Sequence, residues 1–129
     1  MIEAKPDEWS DAVAGWLLPA CYYNPDILQT VRDKVNTGQL VLVGLYADGV
    51  PVGAFTAGIV RDGLGADLFI DRLGGQGDGL AGCVDDYACA IAREMDLDGV
   101  RFVTAKPGMV RLLGRMDYRP VQTLVRKGV

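Results

Sequence analysis

The chain has 129 residues, half of them hydrophobic, and a net charge of −4. That length suits one domain spanning 1–129 with its own core, and the apolar content excludes a disordered chain. Histidine is absent, which excludes Ser-His-Asp and Cys-His catalysis and the usual zinc sites.

In chain order, residues 7–18 read as a short amphipathic helix, with Trp9, Val13, Trp16 and Leu17 on one side and Pro19 as its stop. Asn24-Pro25 is an N-cap followed by proline at the first helical position. Ile27, Leu28, Val31 and Val35 give that second helix its apolar face, and Gly38 ends it. Residues 40–47, LVLVGLYA, are too short and too β-branched for a helix and read as a strand buried on both faces. Asp48-Gly49 signals a hairpin turn. A return strand follows over 51–60, a second turn over 61–65 and a third strand over 66–71, making an antiparallel meander.

A glycine-rich turn, Gly74 to Gly79, then leads directly into a helix over 80–95. Leu80, Val84, Tyr87, Ile91 and Met95 lie along one side of it and Asp85, Asp86, Arg93 and Glu94 along the other. A strand over 99–105, a short helix from Lys106-Pro107 to about Arg115, and a last strand over 118–126 complete the chain. Strand, helix, strand implies a parallel crossover. The expected fold class is therefore α/β (α+β): a mixed sheet, an antiparallel meander plus one parallel βαβ crossover, with helices on both faces.

The charge is unevenly spread. Residues 1–100 hold 6 Lys/Arg against 16 Asp/Glu, a balance of −10, while residues 101–129 hold 7 against 1, a balance of +6. The acidic body argues against nucleic acid as a partner. The basic end reads as a solvated face or as a surface that meets a phosphorylated ligand. The cysteines Cys21, Cys83 and Cys89 lack metal spacing and read as buried thiols of a reducing compartment. With no signal peptide or membrane-length apolar run in view, a cytoplasmic protein without a membrane partner is the expectation. The sequence leaves a homodimer open.

The strand–glycine turn–helix unit carries the chemistry. A helix start presents unpaired N–H groups and partial positive charge, which suits a phosphate. Gly77-Asp78-Gly79-Leu80-Ala81-Gly82 matches the dinucleotide pattern GxGxxG. Its context is wrong, because an antiparallel meander precedes it and the next strand ends at Thr104-Ala105-Lys106 without an acid. A Walker lysine-serine pair is also missing.

Begun one residue earlier, Gln76-Gly77-Asp78-Gly79-Leu80-Ala81 resembles the (Gln/Arg)-x-x-Gly-x-(Gly/Ala) segment of the GCN5-related N-acetyltransferase (GNAT) superfamily. Asp48-Gly49-Val50-Pro51-Val52-Gly53 resembles that family's hairpin, and the later elements follow in its order. The family's first strand is absent here or reduced to residues 2–5. The resemblance implies acyl-coenzyme A, most simply acetyl-CoA, held in an opening between the strands over 66–71 and 100–105. Gln76, Gly77, Asp78, Gly79, Leu80 and Ala81 would hold the pyrophosphate, the strand end near Ile70 would pair with the pantetheine amides, and Lys106, Arg111 and Arg115 would meet the adenosine phosphates. The implied activity is acyl transfer to the amine of a small molecule or peptide.

Departures from the family pattern bear on catalysis. The place of the family's proton-donating tyrosine is Leu113, Gln76 replaces the commoner arginine, Asp78 puts a carboxylate beside the expected diphosphate, and Asp117-Tyr118 stands at the terminal Gly-Phe. The candidate general bases are Asp67 and Asp71, which alternation places on one face of the third strand with Phe69. Tyr22, Tyr23 and Trp16 fall in the early helical region that, by the resemblance, lines the acceptor side. The alternative function is a GNAT-shaped acyl-CoA-binding or protein-interaction module without catalysis. A nucleotide-binding Rossmann unit is a third reading, requiring NAD in preference to CoA.

Overall fold

The computed structural model describes residues 1–103, 107–121 and 125–128. Strands β1 (Ile2–Pro6), β2 (Val41–Ala47), β3 (Val50–Asp62), β4 (Gly65–Gly75) and β5 (Gly99–Phe102) form one sheet in the order β1-β2-β3-β4-β5. The first three pairings are antiparallel, and β4 with β5 is parallel. The sheet is mixed, as expected, and the first strand is present.

Helix α1 spans Asp11–Leu17, four residues later than expected at its start. The reason lies in Asp7. Its N–H donates to the Leu42 carbonyl at 3.1 Å and its carboxylate accepts from the Tyr46 hydroxyl, so the chain is still tied to β2 there. Ser10 then caps the helix, accepting from the Val13 N–H at 3.2 Å. In α2 (Pro25–Asn36), Asn24 Oδ1 accepts from the Asp26 N–H at 2.9 Å, the cap that Asn-Pro promises. The β2–β3 turn holds Asp48 at φ 50° and Gly49 at φ 81°, the paired positive values of a two-residue hairpin.

Each face of the sheet is covered. Helix α3 (Leu80–Glu94) lays Val84, Ala88 and Ala92 on Val43, Leu45, Phe55, Ala57, Leu68 and Ile70. Opposite, α1 and α2 cover Leu40, Leu42 and Ala54 with Val13, Leu17, Cys21 and Val31. Strand alternation sorts the two sets: Phe55 and Ala57 face α3, while Ala54 faces α1. Full burial of side chains such as Phe55, Leu45 and Leu17 contributes about 1.5–3 kcal/mol each.

Beyond β5 the chain departs from expectation. β5 ends at Phe102, Val103 is exposed, and Thr104, Ala105 and Lys106 lie outside the described residues. Helix α4 spans Pro107–Gly114. The last strand expected over 118–126 is not formed in its described part: residues 119–121, 125 and 126 belong to no strand, and 122–124 lie outside the described residues. Pro120 has no N–H to give a ladder. Tyr118 instead turns inward, donating its hydroxyl to Asp85 Oδ1 at 2.6 Å and standing edge-on to Phe102. Burial and that carboxylate hold the Tyr118 phenol in its neutral form, with its pKa raised.

Candidate functional site

The site is built on a single strand that changes character midway. From Asp67 to Ile70, β4 is paired on both sides, with β3 and with β5. The described ladder to β5 ends at Ile70–Phe102, while β4 runs on to Gly75 beside β3 alone. At that point the β3 register skips a residue: Ala57 pairs with Ile70 and Thr56 with Arg72, leaving Asp71 as the bulged residue. The bulge turns the strand where its second partner ends.

The bulge is held from the α1 side. Thr56, fully buried, accepts from the Arg72 N–H at 3.2 Å and donates its hydroxyl to Asp71 Oδ2 at 3.3 Å. Arg72 Nε stands 3.8 Å from the same oxygen, and Arg72 Nη1 donates to the Ala20 carbonyl at 2.9 Å. Among the described residues, the buried Nε atoms of Arg72 and Trp16 (Nε1) have no hydrogen-bond partner. The Trp16 carbonyl lies directly over Gly74, so close that any Cβ at residue 74 would overlap it.

The glycine loop follows. The Gln76 N–H donates to the Val52 carbonyl at 2.9 Å, and the Cys83 N–H donates to Gly79 O at 3.0 Å. Between these, the N–H groups of residues 77–82 have no partner among the described residues. Gly77 has φ 119° and Gly79, the N-cap of α3, has φ 82°. Both values favour glycine, and a Cβ on Gly79 would meet nothing within 4 Å. The space above the helix start is open, and no side chain caps it. This is a run of amides without partners among the described residues, with positive helix charge behind it, chemistry that suits an anion.

Three solved structures share this fold. A GCN5-related N-acetyltransferase from Ralstonia eutropha JMP134 superposes with a TM-score of 0.75 at 12% identity, covering 98% of each chain. The fold is that of the GCN5-related N-acetyltransferases. An acetyltransferase from Trypanosoma brucei gives a TM-score of 0.68 at 16% identity over 100% of both chains. A predicted acetyltransferase from Clostridium acetobutylicum, solved with acetyl-CoA, gives 0.68 at 13% identity over 99% of this chain and 96% of its own. No protein-family model and no curated protein matches the sequence.

Within this GNAT fold the candidate residues separate. Gln76, Gly77, Asp78, Gly79, Leu80 and Ala81 lie together in the loop and first turn of α3, and Ile70 is in the last described rung with β5. Asp78 is exposed and borders an open groove of about 710 Å³ between β1 and α3, shared with Asp86, Cys83 and Tyr87. Among the described residues its carboxylate makes no hydrogen bond to the loop amides. Arg111 and Arg115 are exposed on and just after α4, and Lys106 lies outside the described residues. Leu113 is 7% exposed and turns into the interior.

The two aspartates of β4 have different neighbours. Asp67 sits opposite Gly99, four residues before Asp71, and its Oδ2 accepts from Arg101 Nε at 3.0 Å. Arg101 also grips Asp62 through Nη1 and Nη2 at 2.8 and 3.1 Å, holding that carboxyl at about 2, well below its usual range. Asp71 is the bulged residue, one past the last described rung with β5, and lies beside Thr56. All three cysteines are free thiols: Cys21 is buried, but Cys83 and Cys89 are only half-buried, and burial raises the pKa of each.

The composition hid the bulge, but the apolar spacing carried a trace of it. Leu68 and Ile70 face α3, and the next residue packed on that cluster is Leu73, three places on instead of two.

Proposed function

We propose that the chain is an acyl-CoA-dependent N-acyltransferase, with acetyl-CoA as the simplest donor. One observation carries this reading: the described β5 ladder ends at Ile70, and seven residues later, at Gly77, a run of amides without described partners begins. A coenzyme with its diphosphate on residues 77–81 would run its pantetheine arm along the free edge of residues 71–75, supplying the hydrogen bonds that β5 no longer makes. Its thioester would then lie by Asp71.

An amine attacks a thioester only as the free base. Asp71, half-buried at the bulge, is placed to take the proton directly or through a water, while Asp67 is already occupied by Arg101. As the amine nitrogen bonds to the carbonyl carbon, the C–S bond breaks and the sulfur leaves with its electron pair. A thiol of ordinary pKa, about 8.5, leaves as thiolate without obligatory protonation. Leu113 at the tyrosine place is therefore compatible with turnover. Arg111 and Arg115 would face the adenosine phosphates.

Titration calorimetry with acetyl-CoA is the test. A micromolar Kd is expected, and coenzyme at a hundredfold excess over Kd should stabilise the fold by about 2.7 kcal/mol. Gly79→Trp should remove binding by filling the open space above α3 while the circular dichroism of the fold persists. Absence of both heat and thermal shift with acetyl-CoA would end this reading.

A further inference from the structure

Strand β1 closes one side of the sheet, with β2 as its neighbour and no described strand beyond it. The direction of its peptide groups follows from the bond just past its end. The Asp7 N–H donates to the Leu42 carbonyl, and the β1–β2 register continued by one residue sets those two opposite each other. Bonded and non-bonded pairs alternate along an antiparallel ladder. Lys5 and Glu3 therefore direct their peptide groups at β2, while Pro6, Ala4 and Ile2 direct theirs outward. Two observations agree. Pro6, which has no N–H, takes an outward position, where the β2 ladder loses nothing by it. The Ile2 carbonyl accepts from the Cys83 thiol of α3 at 3.4 Å, away from β2. The other outward groups, the Ile2 and Ala4 N–H and the Ala4 and Pro6 carbonyls, have no described partner. The open groove of about 710 Å³ beside Ile2 and Ala4 leaves this edge approachable.

Proteins blunt their edge strands with short length, charge or proline. β1 has all three, but in a self-complementary order. Laid antiparallel on a second copy about Ala4, Ile2 meets Pro6, Glu3 meets Lys5, and Ala4 meets its own equivalent. The two Ala4 residues exchange N–H···O bonds, and each Ile2 N–H meets a Pro6 carbonyl. The donor that Pro6 lacks falls opposite the Ile2 carbonyl, the acceptor already engaged by Cys83. Glu3 and Lys5 fall in the non-bonded pairs, whose side chains stand closest. Both are exposed. Within one copy neither has an ion-pair partner among the described residues, and Lys5 Nζ lies over the Tyr46 ring, 4.3 Å from its centroid.

We propose that β1 is a self-association edge: two copies of this chain join β1 to β1, antiparallel about Ala4, and continue the sheet across a two-fold axis. Such a contact requires a surface complementary to itself, and Ile2–Pro6 meets that condition in both charge and hydrogen bonding. A strand of five residues makes a small interface, so the dimer is reversible, with a Kd of about 10–100 µM.

Sedimentation velocity tests this. A species of twice the chain's mass should grow in as the wild type is concentrated from roughly 5 to 300 µM. Lys5→Glu and Glu3→Lys each set like charges opposite one another and should weaken the dimer about 10-fold or more. The Glu3→Lys/Lys5→Glu double variant restores opposite charges and should return to within about 3-fold of the wild type. An equimolar mixture of the two single variants should dimerise as well, because one copy then offers two lysines and the other two glutamates. Both side chains are exposed, so the circular dichroism of every variant should match the wild type. A wild type that stays monomeric across the range, single variants that associate as the wild type does, or a double variant or mixture that stays dissociated would overturn the proposal.

Discussion

The two halves of β4 differ in their described partners. The first half, through Ile70, is laddered on both edges, and Arg101 seals it by joining Asp62 to Asp67 across the β3–β4 turn. Among the described residues the second half pairs with β3 alone, contains Gly74 and Gly75, and leads into the loop whose amides have no described partner. One bulged residue, Asp71, divides them. The same side chain type at positions 67 and 71 meets different circumstances: the first aspartate accepts directly from Arg101 at 3.0 Å, while the second accepts from the Thr56 hydroxyl and stands 3.8 Å from Arg72. In the proposed reading, function follows from the β4 edge beyond the described β5 ladder rather than from a distinctive set of side chains.

The comparison can be broken at three strengths. The largest effect is expected from Asp71→Asn, which should lower kcat by about 10²–10³-fold with the acetyl-CoA Kd unchanged, while Asp67→Asn leaves kcat within about 2-fold. Equal losses at the two positions would mean that the halves are not functionally distinct. Next, Gly74→Ala should destabilise the fold by about 3 kcal/mol or more in urea unfolding, the upper end for overpacking, since the new Cβ meets the Trp16 carbonyl, a backbone atom that cannot turn away. Gly63→Ala, where a Cβ meets nothing within 4 Å, should change little.

The smallest effect concerns the seal. Arg101 depresses the Asp62 pKa from 3.8 to about 2, so its stabilisation is complete above about pH 4 and fades as the pH falls towards 2. The gap in melting temperature between the wild type and Arg101→Ala should be constant from pH 7 to about 4.5 and narrow below it. A gap that stays constant to pH 2.5 would detach the Asp62 ion pair from the seal.

Much of this was legible in the residues because it depends on local chemistry. Asp48-Gly49 specifies its hairpin through two left-handed positions, Asn24-Pro25 starts its helix, and the glycines of residues 74–79 mark the turn into α3. The features that escaped are long-range. Nothing near Asp67 in the chain says that Arg101, 34 positions on, will neutralise it. The strand reading of residues 118–126 followed their β-branched pattern, but Tyr118 finds a better partner in Asp85 and Pro120 cannot continue a ladder. The delayed start of α1 has the same cause: Asp7 is occupied by β2 before the helix begins. Tyr22 and Tyr23, both left-handed at φ 57°, gave no local signal, since their conformation comes from the closure of the turn that precedes them.

A sheet edge that could receive a coenzyme, as proposed, is equally receptive to another polypeptide. Residues 71–75 follow no described partner on the β5 side, and the last two lack side chains that would fend off a visiting strand. Whatever fills that edge protects the protein as well as serving it: loaded, it is a finished sheet; emptied at high concentration, it is a template for sticking. Samples stripped of ligand should accordingly scatter more light than saturated ones, and store less well.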